Sequence, residues 1–178
     1  MRSLTRDPGP YGGDPARTPP WTIFLETLIH DFDTLRFLNP GSEVTEVTAH
    51  ADALVRPDAR DDGFLDTSVV HLRFDNGAFA TAEASFSASY GYDVRGEVFG
   101  DGGMATAGSG RTSDTSRMDT DLLHSAYVAE LAAFAEATRG AEVAVPTGQD
   151  GVRALEIARA AIVSVQQHRT VALTEVAR

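Results

Sequence analysis

Apolar residues near the start of the chain recur three or four positions apart, which is the spacing of one buried helix face. This stripe predicts a helix over residues 22–38, ended by the turn Asn39-Pro40-Gly41. Two later helices are predicted over residues 122–138 and 150–168. The stripe of the first helix consists of Leu25, Leu28, Ile29, Phe32 and Leu35.

Between the first helix and the later two, apolar and polar residues alternate in short runs, which is typical of strands. Asn76-Gly77 predicts a hairpin, and the glycine-rich residues 100–103 predict a second hairpin rather than a phosphate loop. Successive hairpins flanked by helices favour an α+β fold with an open, mainly antiparallel β-sheet and helices covering one face. The predicted strands are residues 43–55, 67–74, 78–87, 93–99 and 104–107, with a short strand at the C-terminal end.

The remaining segments are predicted to be irregular. Residues 1–20 are rich in proline and glycine, so we expect an extended N-terminal arm, and residues 21–178 then form the domain. Residues 58–66 predict an acidic loop, and the small, polar residues 108–120 predict a surface loop.

The amino-acid composition excludes several classes of function. The chain has 178 residues, 42% of them hydrophobic, which suits one domain with a sizeable core. Its net charge of −11 disfavours nucleic-acid and membrane partners. All 15 basic residues are arginine and cysteine is absent, which excludes mechanisms that need lysine or a thiolate. The first twenty residues lack the apolar core of a targeting signal, so the expected location is cytoplasmic.

The first predicted helix carries the sharpest chemical feature. At about 100° per residue, Glu26, His30 and Asp33 share one polar face, well away from the apolar stripe. A carboxylate four residues before a histidine can orient the ring and raise its basicity, as a proton acceptor requires. The competing interpretation is an ordinary solvated helix face. The other four histidines are scattered without metal-ligand spacing, so no metal site is expected.

A second cluster lies at the start of the predicted strand 93–99. Tyr90, Tyr92 and Arg95 could line a pocket for a polar substrate. The competing interpretation is a turn in which the tyrosines cover the sheet and Asp93 pairs with Arg95.

Taken together, these segments resemble the C-terminal domain of the Gfo/Idh/MocA oxidoreductases, and most closely the inositol 2-dehydrogenase-like members. The order HDFD, DT, NGA and YGYD-R-EVFG carries the resemblance, which extends over nearly the whole chain. The matching stretches are IFLETLIHDFD (23–33), RFLNPGSEVTEVTAHADALVRP (36–57), LDTSVVHLRFDNGAFATAEASF (65–86), YGYDVRGEVFGDGG (90–103) and GQDGVRALEIARAAIVSVQQHRTVAL (148–173).

The resemblance implies roles for the two clusters. In that family an acid and a histidine on the first helix of this domain handle the proton of a substrate hydroxyl, together with a lysine of the nucleotide domain, and a nicotinamide takes the hydride. Carried over, His30 is the catalytic histidine and Glu26 its acidic partner. Asp33, Tyr90, Tyr92 and Arg95 would contact a polyol or sugar.

This sequence also departs from the family pattern. Glu26 replaces the usual Asp, and Trp21-Thr22 replaces a usual Gly-Gly pair, so the indole could fill the pocket. The nucleotide-binding half of the family is not found in the sequence, so NAD or NADP would belong to the complete enzyme and none is expected to bind this chain alone.

Two hypotheses therefore stay open. In the first, the chain is the substrate-binding part of an NAD(P)-dependent inositol or sugar dehydrogenase, completed by a separate nucleotide-binding domain. In the second, it is a catalytically inactive, stand-alone oligomeric or sugar-binding module. Both are compatible with a homo-oligomer formed through the open sheet face, as is common in the family.

Overall fold

The computed structural model describes residues 1–9, 18–108 and 123–177, and seven strands there form one open sheet. The strand order is β6-β5-β1-β4-β3-β2-β7, and every neighbouring pair is antiparallel except β1 with β4. The predicted α+β class with an open, mainly antiparallel sheet is confirmed. The strands are β1 (Arg2–Arg6), β2 (Val44–Asp52), β3 (Thr67–Phe74), β4 (Phe79–Ser85), β5 (Asp93–Gly100), β6 (Gly103–Ala107) and β7 (Val171–Ala172).

The beginning of the chain enters the sheet. Residues 1–20 were expected to form an extended arm before the domain, but β1 lies inside the sheet, parallel to β4 and antiparallel to β5. The side chain of Leu4 is buried there. A five-residue strand with one strongly apolar side chain gives little periodicity, which is why the pattern did not reveal it. Residues 10–17 of the expected arm, and 109–120 of the expected surface loop, lie outside the described residues.

Among the described residues, three α-helices accompany the sheet: α1 (Leu28–Phe37), α2 (His124–Thr138) and α3 (Gly148–Gln167). Helices α1 and α3 pack against each other and against one sheet face, and this layer holds the hydrophobic core. Helix α2 has no buried residue. Within the described part of the chain, no helix is both long and apolar enough to cross a membrane.

A buried serine joins helix α3 to the sheet. The Ser164 hydroxyl accepts a hydrogen bond from the backbone N–H of Ala49 in β2 at 2.9 Å and donates to the Arg169 carbonyl at 2.6 Å. Both bonds satisfy polar groups that would otherwise be costly to bury. The C-terminal end of α3 is thus fixed above β2, which leaves its neighbour α1 over β1 and β4.

The predicted helix 22–38 begins differently from the expectation. Residues Ile23–Thr27 form one turn of π-helix, and α1 continues from there. A π-turn contains an extra residue, which rotates the preceding side chains relative to α1. The prediction that Leu25 belongs to the buried stripe is therefore wrong: it is 40% exposed, and Ile23 and Phe24 are buried instead.

Candidate functional site

The π-turn begins at a residue in an unusual backbone conformation. Trp21 has φ of +68°, in the left-handed region that bulky side chains rarely adopt. Its carbonyl accepts hydrogen bonds from the N–H groups of Phe24 at 2.9 Å and Leu25 at 3.1 Å. The half-buried indole stacks on the Phe24 ring, with 6.4 Å between ring centroids. The indole thus packs toward the core at the start of the helix that carries His30.

Glu26 and His30 follow on this helix, and both side chains are exposed. Glu26 lies in the π-turn and His30 in the first turn of α1. Within the described residues, no hydrogen bond or ion pair joins the two side chains. The exposed ring of His30 can reach a substrate, and its pairing with Glu26 stays a prediction.

A buried carboxylate lies directly beside His30. Asp31 is 4% exposed, and the hydroxyls of Ser3 and Thr5 on β1 donate hydrogen bonds to it. Burial raises the pKa of Asp31 from 3.8 to about 6, although both hydroxyls and the nearby His30 act to lower it. The Asp31 contacts attach the His30 helix to the centre of the sheet.

The sequence reasoning missed Asp31, although a signal for it was present. Asp31 lies three residues after Leu28 and four before Leu35, at the edge of the apolar stripe. A carboxylate at the edge of a buried stripe needs hydrogen-bond partners, and β1 supplies them.

A cleft of about 400 Å³ opens between α1 and the β5–β6 hairpin, with His30 and Asp31 on its wall. Ser3, Thr5 and Thr34 are its other polar α1 and β1 residues. On the hairpin side, Arg95 and Thr106 are polar lining residues. The rest of the lining is mostly apolar and includes Phe37, Leu38, Val94, Val98, Ala105 and Ala107. In this cleft the imidazole of His30 and the carboxylate of Asp31 line the same space.

Asp33 points to a different cleft. Arg36 reaches Asp33 at 3.4 Å and Asp150 of α3 at 3.3 Å, and Glu43 lies 3.8 Å away. These residues line a second cleft, of about 570 Å³, beside the N-terminal end of α3. The structure therefore does not bring Asp33 into the cleft of His30. It makes Asp33 part of the ion-pair network around Arg36.

The tyrosine–arginine cluster is also divided. Tyr90 and the half-buried Tyr92 lie in the turn before β5, and Tyr90 is 39% exposed. Arg95 makes a bidentate ion pair with the buried carboxylate of Asp93, at 2.8 and 2.9 Å. Arg95 is also among the residues that line the cleft of His30. In the sheet it is paired with Leu4, while Ser3 and Thr5 face α1, so the alternation of side chains along a strand directs the Arg95 side chain away from α1. The Asp93–Arg95 pair of the competing interpretation is thus present.

Comparisons with known proteins show which proteins this chain is similar to. The model of the "GFO/IDH/MocA C-terminal domain" matches residues 2–106. A myo-inositol 2-dehydrogenase of Thermotoga maritima is 35% identical over 99% of this chain and 56% of its own length. A scyllo-inositol 2-dehydrogenase (NAD⁺) of Bacillus subtilis is 33% identical over 78% of this chain and 44% of its length.

A solved structure extends the likeness to three dimensions. The crystal structure of a probable dehydrogenase from Thermotoga maritima superposes with a TM-score of 0.86 and 36% identity. The match covers 98% of this chain and 56% of that one. The chain thus spans about half the length of the relatives that it matches.

Proposed function

Because the chain belongs to the GFO/IDH/MocA C-terminal domain family, we propose that it is the substrate-binding part of an NAD(P)-dependent oxidoreductase. Its substrate would be a polyol or sugar such as inositol, oxidised at a secondary hydroxyl. This choice is supported by two relatives that are inositol 2-dehydrogenases. The observation that carries this proposal is the exposed His30 beside the buried Asp31, on a helix fixed to the sheet.

The residues of this chain would perform the proton step. His30 accepts the proton of the substrate hydroxyl, and Glu26 orients the ring once substrate excludes water from the helix face. Tyr90 and Tyr92, in the turn before β5, are assigned as hydroxyl contacts. Asp33 and Arg95 are each held in an ion pair, so we give them a supporting role.

The described residues do not fit a dinucleotide. The glycine-rich turn at residues 100–103 joins two antiparallel strands, whereas a dinucleotide fingerprint leads from a strand into a helix. We therefore propose that NAD or NADP is bound by a separate nucleotide-binding domain.

The experiment combines binding and turnover. Calorimetry of the chain with myo-inositol should give a heat of binding, and oxidation of myo-inositol should appear when NAD⁺ and a nucleotide-binding domain of a relative are added. His30→Ala should lower the turnover at least 100-fold, within the range of lost general-base catalysis. His50→Ala, which removes an exposed histidine of β2, is the matched control. An unchanged rate in His30→Ala would refute the assignment.

A second candidate function is a stand-alone oligomer, and the uncovered sheet face favours it. Phe79, Phe99 and Met104 are 58–68% exposed near one end of that face, where Phe99 and Met104 form a cross-strand pair. Apolar side chains exposed together mark interaction surfaces more often than scattered ones do. Inositol binding without turnover in any reconstitution would favour this candidate as a sugar-binding module.

A further inference from the structure

The two clefts described above lie on either side of one exposed ridge of α1. They are the His30 cleft, of about 400 Å³, and the Arg36 cleft, of about 570 Å³. Thr34 and Phe37 form the ridge, and both residues line both clefts. At about 100° per residue, these two side chains are about 60° apart around the helix, with His30 between them. The clefts are therefore neighbours, separated by about one helix width, or about 10 Å.

The ridge presents an aromatic ring between the two clefts. Phe37 is 71% exposed, although it belongs to the helix that packs on the core. A single exposed apolar side chain is ordinary on a protein surface, but this one forms a wall of two adjoining cavities. Ligand sites typically combine aromatic walls with a few converging polar groups. The ring of Phe37 can therefore pack against the C–H groups of a ligand that crosses the ridge.

The polar groups of the Arg36 cleft are not saturated by one another. The Arg36 side chain is 11% exposed, and its ion-pair distances to Asp33 and Asp150 are 3.4 and 3.3 Å. Glu43 lies 3.8 Å from the guanidinium, which is too far for a hydrogen bond, and the Glu43 side chain is about half exposed. The buried Nε of Arg36 has no acceptor among the described residues. Glu43 in particular can accept a hydrogen bond from a ligand.

Charge decides which ligand the Arg36 cleft accepts. Three carboxylates against one guanidinium leave its charged lining with a net charge of −2, which repels a phosphate or a carboxylate. Hydroxyl groups donate well to carboxylates, so a neutral, polyhydroxylated ring fits this lining. We propose that the Arg36 cleft is a second sugar subsite, and that the substrate is a glycosylated polyol whose reacting ring lies in the His30 cleft. This inference rests on the proposed function, and it adds a second ring to the substrate.

The test compares ligands with one and two rings by calorimetry on the full chain. The probes are myo-inositol and the monoglucosyl-myo-inositols, one for each linked hydroxyl. At least one two-ring probe should bind tenfold or more tightly than myo-inositol, and Glu43→Gln should reduce this preference at least threefold, because a neutral acceptor forms a weaker hydrogen bond. Glu46→Gln is the matched control and should leave the preference unchanged. Glu46 is also about half exposed and 3.8 Å from an arginine, Arg73, but it lines neither cleft.

Three outcomes would overturn the second subsite: no two-ring probe that binds more tightly than myo-inositol, a preference that Glu43→Gln changes no more than Glu46→Gln does, or tighter binding of a myo-inositol phosphate than of every two-ring probe. The same measurements separate this inference from the proposed function. If myo-inositol binds and no two-ring probe binds more tightly, the subsite alone is refuted. If none of the probes binds, the proposed polyol substrate is refuted together with the subsite.

Discussion

Two residues of the segment that carries His30 are held in states that cost free energy. Asp31 is a carboxylate in the core, where an ionised group is disfavoured. Trp21 keeps a large side chain in a left-handed backbone conformation, which costs roughly 1–2 kcal/mol. Both lie at the helix that we assign to proton transfer. Strain and buried charge concentrate at functional sites, because selection for stability alone would remove them.

Replacing Asp31 should change how stability depends on pH. Since folding raises its pKa from 3.8 to about 6, the folded state favours the protonated form. Its stabilising contribution is therefore complete below pH 3.8 and is lost as the pH rises through 6. Above pH 7 the ionised carboxylate lowers the free energy of unfolding by at most about 3 kcal/mol, since one pKa unit corresponds to about 1.36 kcal/mol.

We expect Asp31→Asn to be more stable than the wild type at pH 8, by about 1–3 kcal/mol, and to approach it near pH 4. Urea denaturation across this pH range would measure the difference. Asp61→Asn, at an exposed position, is the control and should show no such trend. A constant offset between Asp31→Asn and wild type at all pH values would contradict the assignment.

At position 21 a glycine variant should be more stable than an alanine variant, which reverses the usual order of stability. Both Trp21→Ala and Trp21→Gly lose the stacking on Phe24, but glycine adopts a φ of +68° without strain. We expect Trp21→Gly to be more stable than Trp21→Ala by about 1 kcal/mol, measured by circular dichroism in urea. Equal stabilities would show that the backbone relaxes when the indole is removed.

Among the elements, helix α3 has the best-defined beginning. Its N-cap Thr147 and Asp150 form a capping box: the Thr147 hydroxyl accepts from the N–H of Asp150, and the Thr147 N–H donates to the Asp150 carboxylate at 2.8 Å. Asp150 also contacts Arg36, so the cap connects α3 to the end of α1. The start of α3 and the helix that carries His30 are thus mechanically coupled.

Removing this cap should destabilise the domain measurably. Thr147→Ala should lower the free energy of unfolding by about 1 kcal/mol, since one helix N–H then loses its acceptor. Thr147→Ser keeps the hydroxyl and should restore most of that loss. If serine and alanine destabilised equally in urea denaturation, the methyl group of Thr147 rather than its hydroxyl would be the stabilising group.

The helices and strands also show which structural features could be predicted from the sequence. The two hairpins formed as the Asn76-Gly77 and glycine-rich signals indicated, because turn chemistry is local. The π-turn was not predictable, since a regular 100° wheel assigns Leu25 to the core. The same helical wheel predicted that Glu26, His30 and Asp33 share one face. Asp33 instead joins the ion pair that Arg36 makes with Asp150, which is 114 residues away from Arg36 in the sequence. Such long-range contacts cannot be predicted from the spacing of residues within one helix.

For the whole molecule, the uncovered sheet face and the net charge of −11 act in opposite directions on self-association. We expect light scattering to give at least twice the 19.0 kDa mass of one chain, more completely at high salt, where repulsion is screened.

Phe79→Glu should shift this equilibrium toward monomer, because it places a charge on the exposed face of β4. Leu54→Glu is the matched control, since Leu54 is similarly exposed but lies in the loop after β2. A monomer at all salt concentrations, or equal effects of the two variants, would contradict association through the sheet face.

The position of β1 has a consequence for the order of folding. The β5–β6 hairpin is connected to the other four strands of the sheet through β1 alone. Arg2 is paired with Thr81 and Glu97, so the first strand cannot be placed until most of the sheet's residues are available. Closing loops of this length is slow compared with forming hairpins. We expect the β3–β4 and β5–β6 hairpins to form first and to be joined last by residues 2–6. Whenever β1 leaves the sheet, the rates of hydrogen exchange in β5 and β6 should rise together.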